Sequence, residues 1–130
     1  MNKEIKAYRK MHAQHRKELL EMAKEDREWD YDYLHDIVMT KIRHMYEYYV
    51  AGNNVFHNEK SKEPIVEQLK HVLDLEAERC EIWEEYYYFD DDDESDQETI
   101  DRVNSYHQRD EHLYREIYEY IGCNIWKWWD

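Results

Sequence analysis

Pro64-Ile65-Val66-Glu67-Gln68-Leu69-Lys70-His71-Val72-Leu73 begins on a proline and then returns an apolar residue every three or four positions, at Ile65, Leu69 and Val72. A proline costs nothing at the first position of a helix, where its missing N–H has no partner to lose, and the spacing puts the apolar side chains on one helical face. Glu76 and Cys80 continue the stripe, and Ile82, Trp83, Tyr86 and Tyr87 extend it, which predicts a long helix from Pro64 to about Tyr88.

The same period recurs on both sides. Ile5, Tyr8, His12, His15, Leu19 and Met22 predict a helix from Lys3 to about Glu28. Leu34, Val38, Lys41, Met45 and Tyr48, with Ile37, Ile42 and Tyr49 widening the face, predict a second helix within Trp29 to Ala51. Asp30 is its expected N-cap, and Asp32 favours the positive end of its dipole. Lys41 interrupts that stripe, so either its stem snorkels to the rim or its charge meets a buried carboxylate. Gly52-Asn53-Asn54 is a stop signal, followed by a short connection from Val55 to Lys62. A fourth helix is marked by Ile100, Val103, His107, Asp110 or Leu113, Tyr114, Ile117, Tyr118 and Ile121, with Gly122 expected to end it in a left-handed cap. Only two glycines and one proline occur among 130 residues, too little punctuation for a multi-stranded sheet. The expected fold is all-α: an antiparallel bundle of about four helices forming one domain over residues 1–130.

Charge is divided unevenly along the chain. Residues 1–62 carry 12 Lys and Arg against 11 Asp and Glu, net +1, whereas residues 63–130 carry 6 against 21, net −15. From Glu81 to Asp101 there are eleven carboxylates and no Lys or Arg: Glu81, Glu84, Glu85, Asp90, Asp91, Asp92, Asp93, Glu94, Asp96, Glu98 and Asp101. The stretch Asp90 to Asp96 is too charged to pack and is expected to be a solvated loop between the third and fourth helices. A fully helical segment of this length would carry one charge per roughly 3 Å, a little over half the axial charge density of duplex DNA at about 1.7 Å per charge. With Trp83 and Tyr87 beside the carboxylates, the segment reads as a partner-binding surface that presents carboxylates like phosphates and rings like bases. Direct nucleic-acid binding and attachment to an anionic membrane are disfavoured by the same charge, and no apolar run approaches a membrane span.

Other chemistries find little support. An EF-hand loop starting at Asp90 would place Ser95 where glycine belongs and Asp101 at the last position; starting at Asp91 gives Asp96 and Arg102. Asp32-x-x-His35, His35-Asp36, Glu67-x-x-x-His71 and Glu81-x-x-Glu84 only gesture at metal sites, and no phosphate loop or nucleophile elbow is present. No enzyme activity, metal or cofactor is expected. His12 and His15 lie one turn apart on the first stripe and are expected to pack with one nitrogen hydrogen-bonded. Cys80 and Cys123 lack a CxxC pattern, and the N-terminus lacks an apolar signal core, so the expectation is a cytoplasmic protein with reduced thiols.

The aromatic complement is large, with thirteen Tyr and five Trp but two Phe. Three of the Trp fall in Cys123-Asn124-Ile125-Trp126-Lys127-Trp128-Trp129-Asp130, a tail expected to dock on the bundle, the alternative being a partner-binding anchor.

Trp29-Asp30-Tyr31-Asp32-Tyr33-Leu34, then Lys41, Met45-Tyr46-Glu47-Tyr48-Tyr49 and Asn54, with the ending Trp126-Lys127-Trp128-Trp129-Asp130, resembles small phage-encoded proteins without an assigned function. The likeness covers residues 29 to 80 and the tail, transfers no catalytic residue, and leaves out the acidic block. It implies a protein that binds and blocks machinery in the cytoplasm of an infected bacterium. Combined with the acidic block, it points to an inhibitor or decoy that docks into the basic groove of a host nucleic-acid enzyme, a defence nuclease being one such target. Two alternatives stay open: a structural or assembly adaptor that binds through aromatic surfaces, with or without homodimerisation, and a sponge for signalling nucleotides.

Overall fold

The computed structural model describes residues 3–51, 62–87 and 97–128. It is all-α, with four long helices: α1 (Lys3–Ala23), α2 (Tyr31–Val50), α3 (Lys62–Tyr87) and α4 (Gln97–Asn124), followed by a single 3-10 turn, Ile125–Lys127. No strand occurs among the described residues, and none of the described helices is long and apolar enough to cross a membrane. The expected stop at Gly52 to Asn54, the connection from Val55 to Ser61 and the acidic loop from Asp90 to Asp96 lie outside the described residues. The chain forms two compact units, residues 1–73 with 127–130, and residues 74–126, so α3 belongs half to each.

In the first unit α1 and α2 run antiparallel. Contacts pass from Tyr8 with Tyr48 at one end, through His15 with Glu47, to Met22 with Tyr33 at the other. α1 stops at Ala23, five residues before the expected Glu28, because Glu25 to Glu28 offers no apolar side chain to continue the stripe and short helices depend on packing. Its end is tightened by Glu25 N–H donating to the Met22 carbonyl at 3.0 Å, and the same carbonyl accepts the Tyr33 hydroxyl at 2.7 Å. Asp30 caps α2 as expected. Its backbone is extended and its carboxylate accepts the Asp32 N–H at 2.9 Å.

The face of α2 is rotated from the expected one. Leu34 is 63% exposed and Lys41 is exposed, while His35, Met39, Ile42, His44 and Tyr49 are buried. Ile42 and Tyr49, expected at the edge of the face, stand at its centre one residue along. Lys41 therefore sits at the rim, the first of its two expected fates. Ile65, Leu69, Val72 and Trp128 complete the core of this unit, whereas α1 contributes a half-buried stripe without a fully buried residue. α3 starts at Lys62, so Pro64 occupies its third position, still inside the first turn whose N–H groups have no helical acceptor. The Trp tail docks through one ring. Trp128 is buried with its Nε1 donating to Gln68 Oε1 at 2.8 Å, while Trp126 is exposed and Trp129 lies outside the described residues.

In the second unit the rear half of α3 and α4 form an antiparallel hairpin, with Tyr86 against Tyr106, Trp83 against His107 and Arg79 against Asp110. Leu75, Ile82, Leu113, Ile117 and Ile121 are buried in it. Cys80, expected on the seam, is exposed and directs its thiol to Glu76 at 3.6 Å; partial shielding of the sulfur from water, with Glu76 beside it, raises its pKa. Cys80 and Cys123 are both free thiols. Gly122 does not end α4, which continues to Asn124. The stop comes from Asn124, whose side-chain amide donates to the Tyr120 carbonyl at 2.9 Å. A β-carbon at Gly122 would meet nothing within 4 Å, so the backbone there makes no demand for glycine.

Candidate functional site

Of the eleven carboxylates expected to form the binding surface, five are described, and all five are exposed: Glu81, Glu84 and Glu85 on α3, Glu98 and Asp101 on α4. Asp90, Asp91, Asp92, Asp93, Glu94 and Asp96 lie outside the described residues. Spacings of three and four residues set Glu81, Glu84 and Glu85 on one face of α3, where like charges cost a helix a few tenths of a kcal/mol per pair, roughly. Glu98 lies in the first turn of α4, where the helix dipole favours it. Asp101 accepts the side-chain amide of Gln97 at 2.9 Å. Arg109 reaches Glu85 from α4 at 3.6 Å, but both side chains are more than half exposed, and such a pair contributes about 0–1 kcal/mol.

The two aromatic members differ. Tyr87 is 78% exposed and can meet a partner. Trp83 is committed to the hairpin: its Nε1 donates to Asp110 Oδ1 at 2.8 Å and its ring meets Tyr86 and His107 edge to face at 5.3 and 5.7 Å. Beneath this surface Arg79 is held by Glu76 and Asp110 and lies 4.5 Å from the centre of the Tyr114 ring. Burial opposes the charge of Arg79, but the two carboxylates outweigh it and raise its proton affinity. Trp83 thus positions the surface, and Tyr87 with the carboxylates presents it.

The first unit holds a polar cluster that the sequence reading did not single out. The imidazoles of His15 (α1) and His44 (α2) stack with centres 3.8 Å apart and planes 7° from parallel. His15 Nε2 pairs with Glu47 at 2.7 Å, His44 Nε2 pairs with Glu18, and Arg43 bridges the two carboxylates. His15 behaves as expected, packed with one nitrogen bonded, whereas His12 is exposed and stacks on Tyr8 at 5.7 Å. The bond from Arg43, and then that from His44, lower the Glu18 pKa. Burial works against Glu47, yet His15 and Arg43 together lower its pKa. Burial, aided by the nearby His15 and Arg43 charges, lowers the His44 pKa in spite of Glu18.

Those directions fix the sign of a pH effect. His44 takes up a proton less readily folded than unfolded, so its contribution is complete above the ordinary imidazole value of 6.5 and is lost as pH falls below it. Glu18 and Glu47 have lowered folded values, so theirs is present above the ordinary carboxylate value of 4.5 and is lost below that. Acidification from about pH 7.5 to about 5.5 therefore lowers the melting temperature through His44 first. His44→Gln keeps an N–H toward Glu18 and removes a titrating group, so it flattens that part of the profile while leaving the lower one; thermal melts across the range would reveal an unaltered profile if the assignment is wrong.

The two histidines also line a cavity of about 320 Å³ walled by α1, α2 and Trp128. Among the described residues no group of three or more His, Cys, Asp or Glu could hold a metal ion. No family model matches the chain, and no curated protein or solved structure matches it.

Proposed function

We propose that the protein is an inhibitor or decoy that occupies the basic groove of a nucleic-acid-binding protein through the acidic hairpin surface between Glu81 and Asp101. The observation that carries this reading is that Glu81, Glu84, Glu85, Glu98 and Asp101 are all exposed, three of them on one face of α3. Glu81, Glu84 and Glu85 on one helical face give closely spaced negative charge, as a phosphate backbone does, and Tyr87 offers a ring at the same end of α3. Action is by occupancy, with charge steering the encounter and complementary potentials selecting the partner. The phage resemblance supports a bacterial host protein as the target, with the host cytoplasm as the place of action.

A second reading, an adaptor that binds through aromatic surfaces, draws on the exposure of Ile125 at 55% and Trp126 at 70%. The two separate by salt. Binding through the acidic surface weakens steeply as sodium chloride rises from about 0.1 M, where screening reaches ~10 Å, toward about 1 M, where it reaches ~3 Å. Binding through Trp126 resists salt and is lost in Trp126→Ala.

A further inference from the structure

The cavity in the first unit has a chemical character opposite to that of the whole chain. In a protein of net charge −14, the ionisable side chains other than tyrosine that line this cavity are Lys41, His12, His15 and His44, all nitrogen bases, and no carboxylate lines it. Glu18 and Glu47 are near but are tied to the histidines and to Arg43, and neither lines the cavity. Lys41 is exposed at the rim and has no ion-pair partner among the described residues. The remaining wall is aromatic or thioether: Tyr8, Tyr48, Tyr49 and Trp128, with Met11 and Met45. Rings and methionines of this kind hold flat apolar ligands by their faces and edges. The volume is near the lower end of the roughly 300–1,000 Å³ typical of small-molecule sites.

One wall residue is also incompletely satisfied. His44 is 3% exposed, and its Nδ1 is wholly buried with no hydrogen-bond partner among the described residues. An unmet buried polar atom forfeits its hydrogen bond to water with nothing in return, which an ordinary packed core avoids.

We infer that this cavity is a binding site for a small planar organic anion, an aromatic ring carrying one carboxylate or phosphate, with the ring among Tyr8, Tyr48 and Trp128 and the anionic group at Lys41. The site is independent of the acidic hairpin and stands or falls separately from the partner proposed above.

The test uses matched naphthalene probes on the full chain by titration calorimetry: 1-naphthoate, 1-naphthyl phosphate, neutral naphthalene-1-methanol and cationic 1-naphthylmethylammonium. At least one of the two anions is expected to bind tenfold or more tighter than the neutral probe, with the cation weakest, and the tighter anion identifies the head group. The His15 and His44 ring-proton resonances should shift on binding, which locates the probe. Lys41→Met, at an exposed position, should remove the tenfold preference and leave the affinity of the neutral probe and the melting temperature unchanged. The inference is overturned if no probe binds, if all four bind within threefold of one another, if the imidazole resonances stay fixed while a probe binds, or if Lys41→Met retains the anion preference.

Discussion

Replacing Asp110 with Ala is expected to lower the unfolding free energy by about 3 kcal/mol, near the lower end of what breaking a buried ion pair costs. Asp110 is 13% exposed and Arg79 11%, so neither can turn to water when its partner is lost. The carboxylate serves two donors, Arg79 Nη1 at 3.1 Å and Trp83 Nε1 at 2.8 Å. Removing it leaves an indole N–H unpaired and a guanidinium held by Glu76 alone. Glu76, with its Oε1 2.7 Å from Arg79 Nε, keeps the loss from reaching the upper end of the range. Asp110→Asn retains an acceptor for Trp83 while dropping the charge, and should cost about 1–2 kcal/mol, in the range of a single hydrogen bond to a charged group. The pair Arg79→Met with Asp110→Leu should recover little of the loss, since the Trp83 N–H still lacks its acceptor and the Glu76 carboxylate, 15% exposed, loses its guanidinium. Urea unfolding followed by far-ultraviolet circular dichroism measures all three, with an unchanged slope showing that the same transition is compared. A loss below about 0.5 kcal/mol for Asp110→Ala, the range of an ordinary surface change, would mean that this network does not hold α3 to α4.

Neutralising the five described carboxylates together, as Glu81→Gln, Glu84→Gln, Glu85→Gln, Glu98→Gln and Asp101→Asn, is expected to weaken partner binding on the order of a hundredfold at low salt. Each exposed charge contributes about 0.2–1 kcal/mol to a contact of this kind, and five together give roughly 2–3 kcal/mol, at 1.4 kcal/mol per tenfold. Most of the change should appear in the association rate, because rim charges act mainly by steering. The fold should survive, because all five side chains are exposed and removing like-charge neighbours at helical spacing relieves repulsion. Extending the substitutions to Asp90, Asp91, Asp92 and Asp93 as Asn should deepen the effect. Affinity unchanged by the five substitutions would assign binding to another surface.

The helices and their polarity along the chain are legible in the sequence because each signal is local. Asp30 acts within one turn as a cap, and the returns of Ile65, Leu69 and Val72 need only the helical period. What failed was rotation and register. In α2 two stripes one residue apart are almost equally apolar, and choosing between Leu34-Val38-Met45 and Met39-Ile42-Tyr49 requires knowing what packs against them. Gly122 looked like a stop because glycine tolerates left-handed backbone, yet Asn124 two residues on supplies the terminating hydrogen bond. The His15–His44 stack and the Arg79–Asp110 pair join residues 29 and 31 positions apart, and neither helix alone encodes the alignment that brings them together. His15 with Glu18 and Arg43 with Glu47, at spacings of three and four, were the available hint. The five described carboxylates of the acidic block were legible as solvent-facing, but the difference between Trp83 and Tyr87 was not, since only the partner helix decides which ring is covered.

If the acidic hairpin stands in for nucleic acid, as proposed, nucleic acid must compete for the same groove. Proteins captured from a bacterial lysate by the immobilised chain at low salt are eluted with duplex DNA, with the five-carboxylate variant as a parallel bait. The captured proteins are expected to leave on addition of DNA and to be missing from the variant bait. Proteins that stay bound through excess DNA and are held equally by the variant would contradict the proposal.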